Sequence, residues 1–214
     1  MKKIIALSLI SLTFLYSCKK DDKDDNTTPP PAATETPSPV GNVGTTFTFS
    51  NTTGVSNPNV EITSLSGGVS NVHMTGTVTD PNIRAILAVD QNGNFDINKK
   101  IKFTLEGITD YVFDDPSRPF TVVDYDWQVG DSVYTNFDKV APIDSIVVRK
   151  VMYRSEIDDY NWSGQTIKTI TVKEDHGGFS ITYRANHKFG IVSIRVDNGQ
   201  YNNETQVVGS TFNF

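Results

Sequence analysis

Apolar and polar residues alternate along most of the chain beyond residue 41. From Phe95 to Leu105, Phe, Ile and Leu occupy most odd-numbered positions, and Asp, Asn, Lys and Thr occupy the even-numbered ones. Apolar residues fill the odd-numbered positions of 83–89, and the apolar–polar alternation itself recurs at 179–185 and 192–196. Because successive side chains of a β-strand point to opposite faces, each run predicts a strand with one apolar face.

Turn-forming pairs such as Asn92-Gly93 and Gly177-Gly178 separate the runs. Only the stretch 142–153 also has a helical spacing, and its β-branched residues favour a strand. Many short strands joined by such turns predict an all-β fold, an antiparallel β-sandwich. The segment 183–198 resembles the last hairpin of an immunoglobulin-like domain, and this resemblance implies an immunoglobulin-like or jelly-roll sandwich.

Composition divides the chain into three parts. Residues 1–17 have the layout of a signal peptide, residues 18–40 form a tether rich in Asp, Pro and Thr, and residues 41–214 form the sandwich domain. The tether contains too little apolar surface to fold, and its prolines favour an extended spacer. A run of Asp and Pro at 114–120 offers a further boundary, but the first part would then be small for a sandwich, so we expect one domain of two sheets.

The signal peptide ends at the only cysteine of the chain. Lys2 and Lys3 precede an apolar run at 4–16, which is too short to span a membrane stably. The sequence from Leu15 to Cys18 resembles the lipobox of bacterial lipoproteins, which implies diacylation of the Cys18 thiol and cleavage before it. An ordinary signal peptide with a chance cysteine is the alternative.

An acidic run follows Cys18 directly. The segment Lys19–Asp25 resembles the export signal of Bacteroidota-type lipoproteins, which implies a lipid-anchored protein on the outer face of the outer membrane. The alternative is a solvated spacer that keeps the domain off the lipid headgroups. The rest of the chain has no thiol, which excludes disulfides and thiolate metal sites there.

Both tryptophans lie in a repeated motif, Asp-Tyr-(Asp/Asn)-Trp, at 124–127 and 159–162. An indole can stack on the C–H face of a sugar while neighbouring carboxylates accept its hydroxyls. The repeat therefore predicts a glycan site. Its stacking residues would be Trp127, Trp162, Tyr125 and Tyr160, and its hydroxyl acceptors Asp124, Asp126 and Asp159. The alternative is that the indoles fill the core.

Oxygen-bearing side chains occupy alternate positions at Asp90, Asn92, Asn94 and Asp96. This spacing resembles the first half of an EF-hand calcium loop, which implies a weak calcium site. Phe95 and Ile101 stand where that family has glycine and glutamate, and Asn-Gly is a strong hairpin signal. A hairpin with calcium at its tip is the expectation, with no other cofactor.

No motif of catalysis is present, and the three histidines lack metal-ligand spacing. We therefore expect no enzyme, with a hydrolase as the less favoured alternative. The net charge of -6 disfavours nucleic acid as a partner. The leading expectation is a surface-anchored binding module for a glycan. Its alternative is a structural, assembly or adhesion subunit that binds a protein partner through a sheet edge.

Two similar strings begin and end the domain, Val43–Phe49 and Val208–Phe214. A terminal aromatic resembles the closing strand of outer-membrane barrels, which implies a small barrel as a further alternative. Because the first string occurs where no such signal is needed, we expect both strings to be outer strands of the sandwich.

Overall fold

The computed structural model of the chain describes residues 35–50, 52, 54–84, 89–111, 119–136 and 146–210. Strands make up nearly all of its regular structure, which confirms the predicted all-β antiparallel class. The strands are β1 (Thr46–Ser50), β2 (Val55–Ser66), β3 (Val69–Val78), β4 (Asn94–Phe103), β5 (Gly107–Tyr111), β6 (Pro119–Asp124), β7 (Ser132–Asn136), β8 (Ile146–Arg154), β9 (Tyr160–Trp162), β10 (Gln165–Ile167), β11 (Ile170–Asp175), β12 (Ser180–Asn186), β13 (Gly190–Asp197) and β14 (Asn202–Gly209). A 3-10 turn (Pro39–Gly41) precedes β1, and α1 (Pro81–Arg84) follows β3.

Twelve strands form one antiparallel sheet in the order β6-β5-β4-β3-β2-β1-β14-β13-β12-β11-β8-β7. Most neighbours in this sheet are also neighbours in sequence, so the sheet is a meander. Immunoglobulin-like and jelly-roll sandwiches use Greek-key connections instead. The chain therefore does not adopt the immunoglobulin-like strand order. Its all-β, sandwich-like class is nevertheless as predicted.

The first and last strands pair with each other at the middle of the sheet. Phe47 of β1 lies opposite Gly209 of β14, and Phe49 lies opposite Val207. The prediction that these two strings form outer strands is wrong, because β6 and β7 are the terminal strands. Residues 211–214, with the terminal aromatics, lie outside the described part of the chain.

The long sheet folds back on itself to make two layers. The Arg149 guanidinium of β8 lies 3.2 Å from the ring centroid of Phe120 in β6, although the two strands are far apart in strand order. One apolar cluster joins residues from both halves, including Val72 and Phe103 from one and Val151 and Val172 from the other. The two layers thus bury their inner faces against each other, as in a sandwich.

The strands β9 and β10 form a separate hairpin outside the long sheet. Ser163 and Gly164 at its turn both have positive φ, 51° and 84°, as a two-residue hairpin turn requires. The hairpin places Trp162 against Phe189 and Val192, with Val208 at the edge of the same cluster. It therefore covers part of the outer face of β13 and β14.

The run at 83–89 does not form the predicted strand where it is described. Ile83 lies in α1, and residues 85–88 lie outside the described part of the chain. Asp80 and Pro81 explain the helical turn, since the Ile83 amide donates to Asp80 Oδ1 over 3.3 Å and the Arg84 amide to Asp80 O over 3.0 Å. Asp before Pro is a typical helix start.

The strands on either side of the Asp- and Pro-rich run at 114–120 pair with each other. β5 and β6 are antiparallel neighbours in the long sheet, with Asp110 opposite Phe120. Residues 112–118, like the signal peptide, Cys18 and the tether up to residue 34, lie outside the described residues. Within the described ranges, no helix has the length and apolar character needed to cross a membrane.

Candidate functional site

A cavity of about 330 Å³ lies between the two layers. Side chains from both halves of the long sheet line it, and most of them are apolar, among them Phe47, Phe49, Val60, Met74, Ile194 and Val207. Protein interiors contain few voids larger than a water molecule. An unfilled space of this volume, with so apolar a lining, is therefore a candidate binding site.

The strand register explains which side chains line the cavity. Phe47 lies opposite Val60, which in turn lies opposite Met74, so the three share the inner face of β1, β2 and β3. On β14 the inward positions include the shorter side chains Asn203 and Thr205. Short side chains cannot fill the space between two sheets, which are spaced about 10 Å apart.

The 3-10 turn closes one end of the cavity, here called the base. Val40 is 1 % exposed, belongs to the main apolar cluster and lines the cavity. Backbone bonds hold the turn in place, since the Ser38 amide donates to Phe103 O over 3.0 Å and Ser70 Oγ donates to Gly41 O over 2.7 Å. Pro39 and Val40, the last residues of the segment assigned to the tether, are thus folded, and Val40 forms part of the cavity wall.

The opposite end of the cavity is lined by residues that are only partly buried. Thr52, Val55 and Tyr201 contribute from the β1–β2 connection, the start of β2 and the β13–β14 turn. Ile83 of α1 packs beside Val55 and Tyr201 in a small apolar cluster. We call this end the rim, and it is the exposed approach to the cavity among the described residues.

Two buried ion pairs stand on the inner faces. Lys99 Nζ lies 3.0 Å from Asp110 Oδ1, joining β4 to β5. Arg149 Nε lies 3.1 Å from Glu174 Oε2, joining β8 to β11. Asp110 and Glu174 line the cavity, as do the polar residues Tyr183, Asn203 and Thr205.

A histidine extends the second pair. His176 Nε2 lies 2.7 Å from Glu174 Oε1, and the His176 side chain is 3 % exposed. Its ring stacks on Phe179 with the ring centroids 4.5 Å apart. Glu174 is therefore held between a guanidinium and an imidazole.

Burial governs the electrostatics of this cluster. It raises the pKa of Asp110, an effect that nearby Lys99 opposes and the Glu174 carboxylate reinforces. Burial also lowers the pKa of Arg149, against the attraction of Glu174. Burial and the two carboxylates hold the pKa of Tyr183, another cavity residue, well above its ordinary range. These pKa shifts are typical of a poorly hydrated interior, where the charged form of a side chain is unfavourable.

The first Asp-Tyr-(Asp/Asn)-Trp motif lies at the base and begins with the last residue of β6. Tyr125 OH donates to Asn186 O over 3.0 Å, and burial raises the pKa of this phenol. Trp127 is partly buried against the main apolar cluster, and Arg154 Nη1 donates to its backbone oxygen over 3.0 Å. Asp124 Oδ1 accepts from the amide of exposed Asp126 over 2.8 Å. The first motif therefore mainly stabilises the turn that follows β6.

The second motif lies on the β9–β10 hairpin, and its tryptophan is inaccessible. Trp162 is 0 % exposed, and its Nε1 donates to Val207 O over 2.8 Å. The prediction that Trp162 stacks on a sugar is therefore wrong, because its indole is enclosed between the hairpin and the sheet. Tyr160 is partly buried beneath Arg184, and exposed Asp159 bonds to the Tyr153 hydroxyl.

The structure does not bring the two motifs together as one platform. Tyr125 and Trp127 pack against the main cluster, whereas Trp162 and Tyr160 belong to the cluster outside the sheet. Residues of both motifs contact the β12–β13 turn, from different sides. Tyr125 makes an edge contact with His187, and Trp162 packs on Phe189 with ring centroids 4.6 Å apart. The repeated motif thus stabilises one turn at the base.

Three of the four candidate calcium ligands, Asp90, Asn92 and Asn94, bond to one another in the turn, and Asp96 pairs with a neighbouring strand. Asp90 Oδ1 accepts from the amides of Asn92 and Asn94, each over 2.8 Å, which closes the turn. Asn94 Oδ1 accepts from Thr77 Oγ1, and Asp96 Oδ1 lies 2.9 Å from His73 Nε2 on the neighbouring strand. Among the described residues, no three His, Cys, Asp or Glu side chains form a group that could hold a metal ion.

Sequence reasoning missed Lys99, Asp110, Arg149 and Glu174. Lys99 carried a usable signal, because it occupies the apolar parity of β4 between Ile97 and Ile101. A charge at an inward position requires a partner, and that requirement points to a second inward charge nearby.

No protein-family model, curated protein or solved structure matches the chain.

Proposed function

We propose that the chain is a lipid-anchored binding module of the outer membrane that holds an apolar small molecule between its two layers and catalyses no reaction. The observation that carries this proposal is the apolar cavity of about 330 Å³. Ligand pockets in proteins have volumes of about 300–1,000 Å³ and are mostly apolar with a few polar groups. The cavity meets both criteria.

An apolar ligand is favoured over a glycan by the burial of the aromatic residues. Of the two tryptophans proposed for stacking, Trp162 is enclosed and Trp127 is partly buried in the main cluster. The apolar lining of the cavity offers few partners for the many hydroxyls of a sugar. Glycan binding by the remaining partly exposed residues, Tyr160 and Trp127, stays the competing hypothesis.

Anchorage belongs to the same proposal and rests on the sequence. The lipobox-like ending at Cys18, the acidic run at 19–25 and the proline-rich tether support a module on the cell surface. The tether leads to the 3-10 turn at the base, so the rim lies at the end away from the attachment point. A rim in that position leaves the cavity accessible from the medium.

The test compares two substitutions on neighbouring positions of β13. Val196 lines the cavity, and Arg195 is exposed on the opposite face. The full chain carrying Cys18→Ser would be titrated with N-phenylnaphthylamine, an uncharged dye that fluoresces in apolar surroundings. We expect saturable binding that Val196→Trp abolishes and Arg195→Trp retains, because only the first fills the cavity.

The comparison removes the effect of the apolar signal peptide, which both variants share. Circular dichroism would confirm that each variant is folded. Equal dye binding by the two folded variants would place the dye elsewhere and overturn the proposal. A glycan array run with the same proteins would support the competing hypothesis if Tyr160→Ala or Trp127→Ala abolished a specific signal.

A second candidate function, the binding of a protein partner, is favoured by the ends of the long sheet. β6 and β7 are its terminal strands, each with one neighbour among the described strands. Such edges can accept a strand from another protein. Photo-crosslinkers at exposed Thr121 and Ser132 should capture one dominant protein in intact cells, whereas a diffuse smear would reject this candidate.

A further inference from the structure

The head group of the proposed ligand can be inferred from the charges around the cavity. Two cations, Lys99 and Arg149, stand beside two carboxylates, Asp110 and Glu174, at separations of 3.0 Å and 3.1 Å. The four side chains are at most 9 % exposed. The cluster therefore balances its own formal charge inside a poorly hydrated interior.

A charged ligand would disturb this balance. An anionic head group would add negative charge beside Asp110 and Glu174, and a cationic one would leave the cluster with a net positive charge. Either excess charge would be desolvated, and the desolvation of an uncompensated ion is among the largest costs in a protein interior. An uncharged head group carries no such cost.

The polar lining contains two carboxylates that accept hydrogen bonds, beside Tyr183, Asn203 and Thr205, whose side chains can also donate. The lining includes the carboxylates of Asp110 and Glu174, while the cations that pair with them do not line the cavity. A carboxylate oxygen can accept more than one hydrogen bond. A hydroxyl or amide N–H on the ligand would find an acceptor there, and a ligand without a donor would leave these oxygens facing hydrocarbon.

We propose that the cavity takes an uncharged amphipathic molecule, an apolar chain or ring system with one hydrogen-bond donor, and directs that donor to the carboxylates of Asp110 and Glu174. This inference rests on the proposed function and specifies its ligand class. An engineered cavity of about 150 Å³ admits benzene, so a cavity about twice as large encloses roughly a dozen non-hydrogen atoms, and a larger ligand would extend through the rim. A long-chain alcohol of about ten carbons has that size.

The test uses three ligands of one chain length, decanol, decanoic acid and decylamine, each below its aggregation concentration. They would be titrated by calorimetry into the full chain carrying Cys18→Ser at about pH 8, where an ordinary histidine is neutral and the acid and amine are ionised. We expect decanol to bind about tenfold more tightly, or better, than either ion. Binding of the acid or the amine at least as tight as that of decanol would overturn the inference.

Two double variants test whether the Glu174 carboxylate takes part in ligand binding. Arg149→Met with Glu174→Met removes one buried ion pair and preserves the formal charge balance. Arg184→Met with Glu204→Met removes an ion pair on the other side of the sheet, where the two charges lie 3.3 Å apart and are about one-third exposed. We expect only the first to reduce the preference for decanol over decane, by about fivefold, a typical hydrogen-bond contribution. An unchanged preference for decanol over decane would show that Glu174 does not bind the ligand.

The two proposals fail in different ways. If N-phenylnaphthylamine and all three ten-carbon ligands leave the protein unbound, the cavity is not a ligand site and the proposed function fails. If the dye binds and Val196→Trp blocks it, while decanoic acid binds best, the cavity is a ligand site and only the inferred ligand class is wrong.

Discussion

Arg149 of β8 and Glu174 of β11 lie directly opposite each other in the sheet, with Nε 3.1 Å from Oε2 and both side chains at most 2 % exposed. Neither charge can reach water, so Arg149 depends on Glu174 and the Phe120 ring, and Glu174 depends on Arg149 and the His176 imidazole. Removal of one partner leaves the other as an uncompensated buried ion, which typically destabilises a protein by several kcal/mol. The stability of the fold is thus sensitive to substitution of either residue.

Arg149→Met should lower the free energy of unfolding by about 3–5 kcal/mol, because it leaves Glu174 buried without its guanidinium. Adding Glu174→Met to this variant should recover most of the loss, since two apolar side chains then pack together. Urea unfolding followed by circular dichroism measures both changes. If the double variant is less stable than Arg149→Met alone, the explanation by an unpaired charge is incorrect.

The control is Arg184→Met, whose ion-pair partner Glu204 lies 3.3 Å away and is about one-third exposed, as is Arg184. Water already screens that pair, so its loss should change the unfolding free energy by less than about 1 kcal/mol. A comparable loss in both single variants would indicate a general effect of replacing arginine.

Asp110 should make stability fall as pH rises. Burial raises its folded-state pKa above the ordinary 3.8. Below 3.8 the carboxyl is protonated in both states, and the folded protein has no buried carboxylate to accommodate. Between 3.8 and the folded-state pKa, the unfolded state ionises while the folded state stays protonated, so the unfolding free energy decreases across this window.

The comparison variant is Asp110→Asn, which cannot ionise. The unfolding free energy of the unmodified protein, relative to this variant, should decline as pH is raised above the ordinary carboxyl value. A relative stability that increases with pH would instead mean that Lys99, at 3.0 Å, outweighs burial and lowers the pKa.

The strand pattern shows what the sequence could predict. The parity of Phe95, Ile97, Ile101 and Phe103 predicted one inner face of β4, and the structure places Phe103 and its neighbours there. The pairing of Phe47 with Gly209 could not be predicted, because a period of two assigns faces within a strand and carries no information about a partner far along the chain.

The candidate site was predicted less well than the fold, for a physical reason. Trp162 stood in the same sequence motif as Trp127, yet a hairpin turn with positive φ at Ser163 and Gly164 folds it onto the sheet. The motif gave the chemistry of the side chains, and burial decides whether that chemistry is accessible. The cavity has no motif, since it results from the combined volumes of inward side chains on many strands.

The two tryptophans should differ in their access to solvent. Trp162→Phe leaves partly buried Trp127 as the only indole, and Trp127→Phe leaves enclosed Trp162. Acrylamide should therefore quench the fluorescence of the Trp162→Phe protein several-fold more strongly. Equal quenching of the two folded variants would mean that the β9–β10 hairpin does not hold Trp162 against the sheet in solution.

Cys18 should determine whether the protein stays with the membrane. Cys18→Ser removes the thiol to which the lipid is expected to attach, so the protein should move from the membrane to the soluble fraction on cell fractionation. Ser17→Ala is the control, since it keeps a small residue beside the cysteine. Unchanged membrane retention of Cys18→Ser would reject the lipid anchor. Protease treatment of intact cells should degrade the domain if it faces outward.

The base of the cavity should be sensitive to a single methyl group at Gly190. Gly190 has φ +68°, and a Cβ there would lie 3.3 Å from Val40 Cγ1. Gly177 has a similar φ of +76° but open space around it. Both alanine variants have the left-handed strain of about 1–2 kcal/mol, and only Gly190→Ala also displaces the side chain that closes the cavity. Gly190→Ala should therefore lower the unfolding free energy more.

A double variant identifies the source of that difference. Val40→Ala removes both methyl groups that face Gly190, so the added cost of Gly190→Ala should largely disappear in the Val40→Ala background. Gly177→Ala should cost the same in either background, because it is remote from Val40. Coupling between residues in contact typically has a magnitude of about 0.5–3 kcal/mol, which urea unfolding resolves. If Gly190→Ala is equally costly with and without the valine methyls, then the 3-10 turn is not seated at the base, and the cavity is open at both ends.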